Sequence, residues 1–100
     1  MTIYVDIDET ICSTSGTDYE GAEPLPDRIK KINQLFEEGH TIVYWTSRGV
    51  VTGIDWEGLT KAQLWGWGAK YHELKLDKPP FDLFIDDKSV NSKEYFKKHE

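Results

Sequence analysis

Cysteine is almost missing from this chain. Cys12 stands alone among 100 residues, so no disulfide can close within it and stability must come from packing. Long apolar runs are missing too: no stretch approaches the roughly 18 consecutive apolar residues of a membrane span. No charged-then-apolar leader precedes the first strand-like run. Together these absences predict a cytoplasmic protein with no membrane partner. Basic charge is in deficit, with 12 Lys and Arg against 18 Asp and Glu and a formal charge of −6. General nucleic-acid binding needs a basic face, so a nucleic-acid partner is disfavoured. No internal repeat, low-complexity tract or linker interrupts the chain.

What is present is the composition of a folded domain: 38% hydrophobic and 30% charged residues. The length fits one domain covering residues 1–100. It is small for one self-sufficient core, so a homo-oligomer is one way to add burial.

Residues 2–7, TIYVDI, are β-branched, aromatic or apolar up to an aspartate, as in a strand buried on both faces. Residues 8–23 are rich in Ser, Thr, Gly and Asp and predict a long loop. Pro24 and Pro26 mark a helix entry. Leu25, Ile29, Ile32, Leu35 and Phe36 then share one helical face, and Gly39 is placed to end it. Residues 41–46, TIVYWT, form a second strand, and residues 47–55 a loop. A helix is expected over about 55–66, weakened by Gly58 and Gly66. Residues 70–76, KYHELKL, read as a third strand. Residues 81–85, FDLFI, read as a fourth that runs into Asp86 and Asp87. Asn91 with Glu94 resembles a capping box for a last helix. Strands alternating with helices predict an α/β domain with a mostly parallel sheet. Ligands of such sheets bind at the C-terminal strand ends. Asp6 and Asp8, then Thr46, Ser47 and Arg48, then Asp86 and Asp87 all fall at such ends, with Lys78 just before the last strand.

Neighbouring carboxylates repel, so a cluster of three or four needs a cation. The set is all oxygen, with no His or Cys beside it, which favours Mg²⁺ over zinc. A carboxylate nucleophile, a metal, and Thr46 and Lys78 as donors to phosphoryl oxygens make a set suited to phosphoryl transfer.

DIDET at 6–10, a strand ending in Thr46, Lys78, and the paired aspartates of FIDD at 84–87 resemble the four motifs of the haloacid dehalogenase (HAD) superfamily of phosphohydrolases. The resemblance spans essentially the whole chain, in the family's order. It implies a three-layer, Rossmann-like fold and a Mg²⁺-dependent phosphatase acting through an aspartyl-phosphate. Asp6 would be the nucleophile. Asp8 would be the general acid and then the base, with its main-chain carbonyl on Mg²⁺. Thr46 would hold the phosphoryl group, and Lys78 would pair with that group and Asp6. Asp87 would be the direct metal ligand, supported by Asp86, and Thr10 would buttress the loop. Glu9 stands where D-x-D-G-T motifs carry glycine. Lys78 lies only eight residues before Asp86, and Lys75 and Lys70 are alternative lysines.

The segments after the first motif and between Gly49 and Asp77 are too short for a cap domain. A capless member is therefore expected, with residues 12–22 as a flap and Tyr19 able to touch a substrate. Arg48 is placed for a second anionic group, with Ser47 beside it. WTSRGVVTGIDW at 45–56 resembles small capless members associated with capsule and sugar-phosphate metabolism, which implies a small phosphorylated substrate such as a sugar phosphate.

Each residue has a plainer reading. Aspartates are common at strand ends, Arg48 can be a surface salt-bridge partner, and Lys78 can be merely solvated. A phospho-acceptor signalling domain also gathers Asp, Thr and Lys around Mg²⁺, but with the acidic pair after its first strand and the acceptor later. Here D-x-D comes first and DD last. A non-catalytic binding module of the same fold and a nucleotide or nucleic-acid end phosphatase are the remaining alternatives.

Overall fold

The computed structural model describes residues 1–99. Three strands, β1 (Thr2–Val5), β4 (Thr41–Trp45) and β5 (Glu73–Lys75), form an open parallel sheet in the order β1-β4-β5. Val5 pairs with Tyr44, and Trp45 pairs with Lys75. The strands therefore end at one level, so the residues that follow them emerge at one edge of the sheet. Two further strands, β2 (Cys12–Ser13) and β3 (Glu23–Pro24), make a small antiparallel ladder around a short 3₁₀ turn at Tyr19–Gly21. The expected loop 8–23 thus carries its own structure.

Helix α1 (Pro26–Glu37) starts as its sequence predicts. Pro26 sits in the first turn, where its missing N–H costs nothing. Ile29 and Ile32 are buried on its inner face, with Leu35 and Phe36 packed beside them. Gly39 ends the helix at φ +97°, and the Gly39 and His40 amides donate to the Phe36 and Leu35 carbonyls. Helix α2 (Glu57–Gly66) begins two residues later than expected and keeps both glycines. Helix α3 (Ser92–Lys98) is capped by the Asn91 side chain, which accepts from the Lys93 amide at 2.9 Å. The core collects Val5, Ile7, Ile11, Ile42 and Tyr44 from the sheet side and Ile29, Ile32, Leu64 and Phe96 from the helices. Each fully buried isoleucine contributes roughly 2 kcal/mol of transfer free energy. Among the described residues, no helix is long and apolar enough to cross a membrane.

Two strands differ from expectation. The third is three residues, Glu73–Lys75, rather than 70–76. The fourth, 81–85, does not form within this chain, and residues 81–90 are all exposed. The connection explains this: five residues after Lys75 are too few for a parallel crossover, which needs a dozen or more. Trp45 is half-buried, with its indole N–H donating to Asp77 at 2.8 Å. Trp65 is exposed on α2.

Candidate active site

The site grows from the turn that ends β1. Ile7 is fully buried, so alternation turns its neighbours Asp6 and Asp8 away from the core. The Ile7 carbonyl accepts from the amides of Thr10 (3.1 Å) and Ile11 (2.9 Å), which closes the turn. Glu9 adopts φ +60° in that turn. This left-handed conformation disfavours any residue with a Cβ, which accounts physically for glycine at this place in D-x-D-G-T. Glu9 is held there on two sides. Its carboxylate accepts from the Thr14 amide at 2.8 Å, and its carbonyl accepts from the Ser92 hydroxyl at 3.3 Å. Arg28 on α1 donates to the Thr10 carbonyl at 3.1 Å. Thr10 thus serves the turn through its backbone.

Asp6 faces Lys78, whose Nζ lies 3.4 Å from Oδ2. Lys78 is fixed in turn by its amide, which donates to the Thr46 carbonyl at 3.1 Å. Burial pushes the Asp6 carboxyl above its ordinary value, opposed by the charge of Lys78 and the amide of Ile7. Lys75 points elsewhere, donating to the Tyr4 hydroxyl at 3.2 Å, and Lys70 pairs with Glu37. Of the three lysines weighed from the sequence, Lys78 is the one at Asp6. Thr46 is buried at the end of β4, and its hydroxyl accepts from the Arg48 amide at 3.2 Å.

Asp8 is in a different situation. Arg48 grips it with two hydrogen bonds, Nε to Oδ2 at 3.0 Å and Nη2 to Oδ1 at 2.8 Å. The Thr14 hydroxyl donates to Oδ1 at 2.6 Å. Burial by itself pushes the Asp8 carboxyl up. The Arg48 and Thr14 hydrogen bonds and the Arg48 charge outweigh it, and the net shift is downward. Arg48 is therefore not the substrate-facing cation that its position suggested. Its side chain is 0% exposed. Its Nη1 donates to Thr60 Oγ1 (3.1 Å) and Gln63 Oε1 (2.6 Å), and its guanidinium lies 4.8 Å from the centre of the Tyr19 ring. A planar guanidinium with this many fixed partners has little freedom to meet a ligand.

Tyr19 is also occupied, packed edge-on against Trp56 with ring centres 5.1 Å apart. Gln63 ties it further, donating to the Tyr19 carbonyl at 2.6 Å. Ser47 contributes its carbonyl to the turn that follows, accepting from the Val50 amide. Gly49 lies in that turn at φ +82°, where a Cβ would collide with the Ile54 carbonyl oxygen. A cleft of about 310 Å³ opens there, lined by Arg48, Gly49, Ile54, Asp55, Trp56, Glu57 and Leu76. Cys12 is buried, and burial pushes its thiol up to about 11, so it is no nucleophile near neutrality.

Sequence reasoning missed Thr60, Gln63 and Thr14. Thr60 and Gln63 are three apart on α2, in line with buried Leu64. Polar residues on the buried stripe of a helix were the available signal.

The structure brings together Asp6, Asp8, Thr46 and Lys78. It does not bring Asp86 or Asp87 to them. Both are exposed, and Asp86 caps its own turn by accepting from the Lys88 amide at 3.1 Å. Among the described residues, no three His, Cys, Asp or Glu side chains converge closely enough to hold a metal ion. The half-exposed Asp6 carboxylate is the kind of hard oxygen donor that Mg²⁺ takes. The neighbouring carboxylate, Asp8, is taken up by Arg48.

No family model and no curated relative matches the chain. Among solved structures, it is similar to a target protein from Vibrio cholerae known from its crystal structure. The two share 25% identity and superpose with a TM-score of 0.85, over 94% of this chain and 85% of that one. The fold described above is therefore one that an experimental structure also adopts.

Proposed function

We propose that this protein is a capless, Mg²⁺-dependent phosphatase of the HAD type, with the three-layer arrangement of that family, acting on a small phosphomonoester such as a sugar phosphate. The observation that carries this reading is the pairing of Asp6 with Lys78 at 3.4 Å, at the end of a parallel strand and next to Thr46. A carboxylate placed this way has an open side for attack and a fixed cation beside it.

Asp6 attacks phosphorus, the P–O bond to the leaving group breaks, and an aspartyl-phosphate forms on Asp6. Its raised proton affinity makes the ionised form the more reactive, because burial removes water that would stabilise the charge. Lys78 holds Asp6 in line and receives negative charge that develops on the phosphoryl oxygens. Thr46 sits at the neighbouring strand end, where its hydroxyl is a donor for the same group. Asp8, kept anionic by Arg48, is suited to take a proton from the water that hydrolyses the aspartyl-phosphate. Its earlier duty, giving a proton to the leaving oxygen, has to work against Arg48. Of the ligands expected for Mg²⁺, Asp6 and the Asp8 main-chain oxygen are the ones this site presents, and Asp86 and Asp87 stand apart from them within one chain. When bound, the ion would supply charge neutralisation for the carboxylate and the phosphoryl group.

The test is phosphate release from a panel of phosphomonoesters, with Mg²⁺ and with chelator, beside Asp6→Asn. Metal-dependent release that disappears in a folded Asp6→Asn protein supports the reading. Release that survives the substitution removes Asp6 as nucleophile, and no release from any ester removes the phosphatase.

A further inference from the structure

Two features are left unexplained by one chain. Among the described residues, strand β1 is at the edge of the sheet, with no strand on its outer side. Such an edge presents a row of unpaired N–H and C=O groups. The second feature is the arm 79–91, which carries FDLFI in the open. Leu83 is 75% exposed and Ile85 86%. Apart from the stacked rings of Phe81 and Phe84, 5.1 Å apart, these side chains have little to pack against. An apolar, β-prone pentapeptide of this kind is unstable in water and fits a strand edge.

The arm and the edge match in length and in consequence. If Phe81–Ile85 lay parallel to β1, Asp86 would follow Ile85 as Asp6 follows Val5. Asp86 and Asp87 would then stand beside Asp6, whose neighbour Asp8 is taken up by Arg48. An antiparallel strand would carry them to the opposite end of the sheet.

The parallel arrangement cannot form within one chain. Lys78 is fixed above the end of β4 by its bonds to Thr46 and Asp6. Phe81 would have to start at the far end of β1, roughly 13 Å down the strand and about 10 Å across two strand spacings. Three residues span only about 10 Å. At the other end of the arm, Ser92 is bonded to the Glu9 carbonyl and Phe96 is in the core. The arm is thus a loop tethered at both ends, long enough to reach roughly 20 Å outward.

We propose that Phe81–Ile85 of one copy adds in parallel to the free edge of β1 in a second copy, and that Asp86 and Asp87 arrive with it to complete the second copy's site. The exchange is reciprocal, so it closes as a two-fold dimer with two shared sites. It rests on the phosphatase reading for what the shared site does, but not for whether the arm is exchanged.

Two measurements test it. Sedimentation equilibrium should give twice the chain mass for the wild type and a single chain mass for Leu83→Pro, which removes a ladder N–H. A wild type that is a single chain at tens of micromolar overturns the proposal, as does a Leu83→Pro protein that stays dimeric. The second measurement mixes two inactive variants, Asp6→Asn and the double variant Asp86→Asn/Asp87→Asn, after unfolding and refolding them together. Mixed dimers contain one site with all its carboxylates, so about a quarter of wild-type activity should return. No recovery beside an active wild type overturns the exchange. A wild type with no activity overturns the phosphatase reading instead, and the mass measurement then decides the exchange alone.

Discussion

The Arg48 cluster and the 79–91 arm hold charge and apolar surface in opposite ways. In the cluster, a guanidinium with no solvent exposure has partners in Asp8, Thr60 and Gln63, with Tyr19 across its face. In the arm, apolar residues face water and the Asp86 carboxylate bonds to its own turn. The first region is finished within one chain. The second has the composition of a strand without a sheet. The residues proposed for phosphoryl transfer touch both: Asp8 is bound to Arg48, and Asp6 to Lys78, which directly precedes the arm.

The largest effect should come from breaking the finished side. Arg48→Met leaves Asp8, Thr60 and Gln63 without a shared donor, and removal of one partner of a buried ion pair typically costs about 3–5 kcal/mol. Urea unfolding should show a loss in that range. A loss below about 1 kcal/mol would mean that Arg48 is a surface residue in solution.

The two aspartates should differ in sign. The Asp8 carboxyl is shifted down, so its ionised form contributes stability above the ordinary carboxylate range, and this is lost as pH falls through its folded value. The Asp6 carboxyl is shifted up, so its charge lowers stability once pH rises past the unfolded value. At pH 7, Asp8→Asn should therefore unfold more easily than the wild type and Asp6→Asn less easily. Both differences should shrink as pH falls through the acid range. Equal and same-signed shifts in melting temperature at pH 7 would contradict this assignment.

Glu9 gives a smaller and cleaner test. Both Glu9→Gly and Glu9→Ala lose the bond to the Thr14 amide, but only alanine keeps a Cβ at φ +60°. The glycine variant should be the more stable of the two by about 1 kcal/mol. No difference between them would place the turn in another conformation.

The smallest effect should be on the arm. Leu83→Ser, studied at concentrations where the chain is a single copy, should change unfolding free energy by less than about 0.5 kcal/mol, as for any exposed position. A larger loss would mean that Leu83 packs within its own chain.

The same contrast decides what could be read from the sequence. Strand β4 and helix α1, with its proline start and glycine stop, follow from local patterns, the Asp6–Lys78 pair is implied by the resemblance of the motifs, and the structure contains all three. Arg48 could not be read in this way. Two residues beyond a strand end, it looks like a ligand for an anion, and its burial depends on Thr60 and Gln63 arriving from α2. The arm fails for a different reason. FDLFI has the composition of a strand, but its pairing depends on whether five residues after Lys75 can reach a free edge, and that distance is fixed only by the folded sheet. Glu9 was visible as a departure from glycine, while the bonds from Thr14 and Ser92 that hold its strained conformation were not.

The central claim is that Asp6 attacks phosphorus. The direct measurement is mass spectrometry of protein quenched in acid during turnover of a phosphomonoester, followed by peptide mapping. The account predicts one added phosphoryl group, located on the peptide containing Asp6 and absent from Asp6→Asn. Steady phosphate release with no phosphorylated protein, or with the group on another residue, would contradict it.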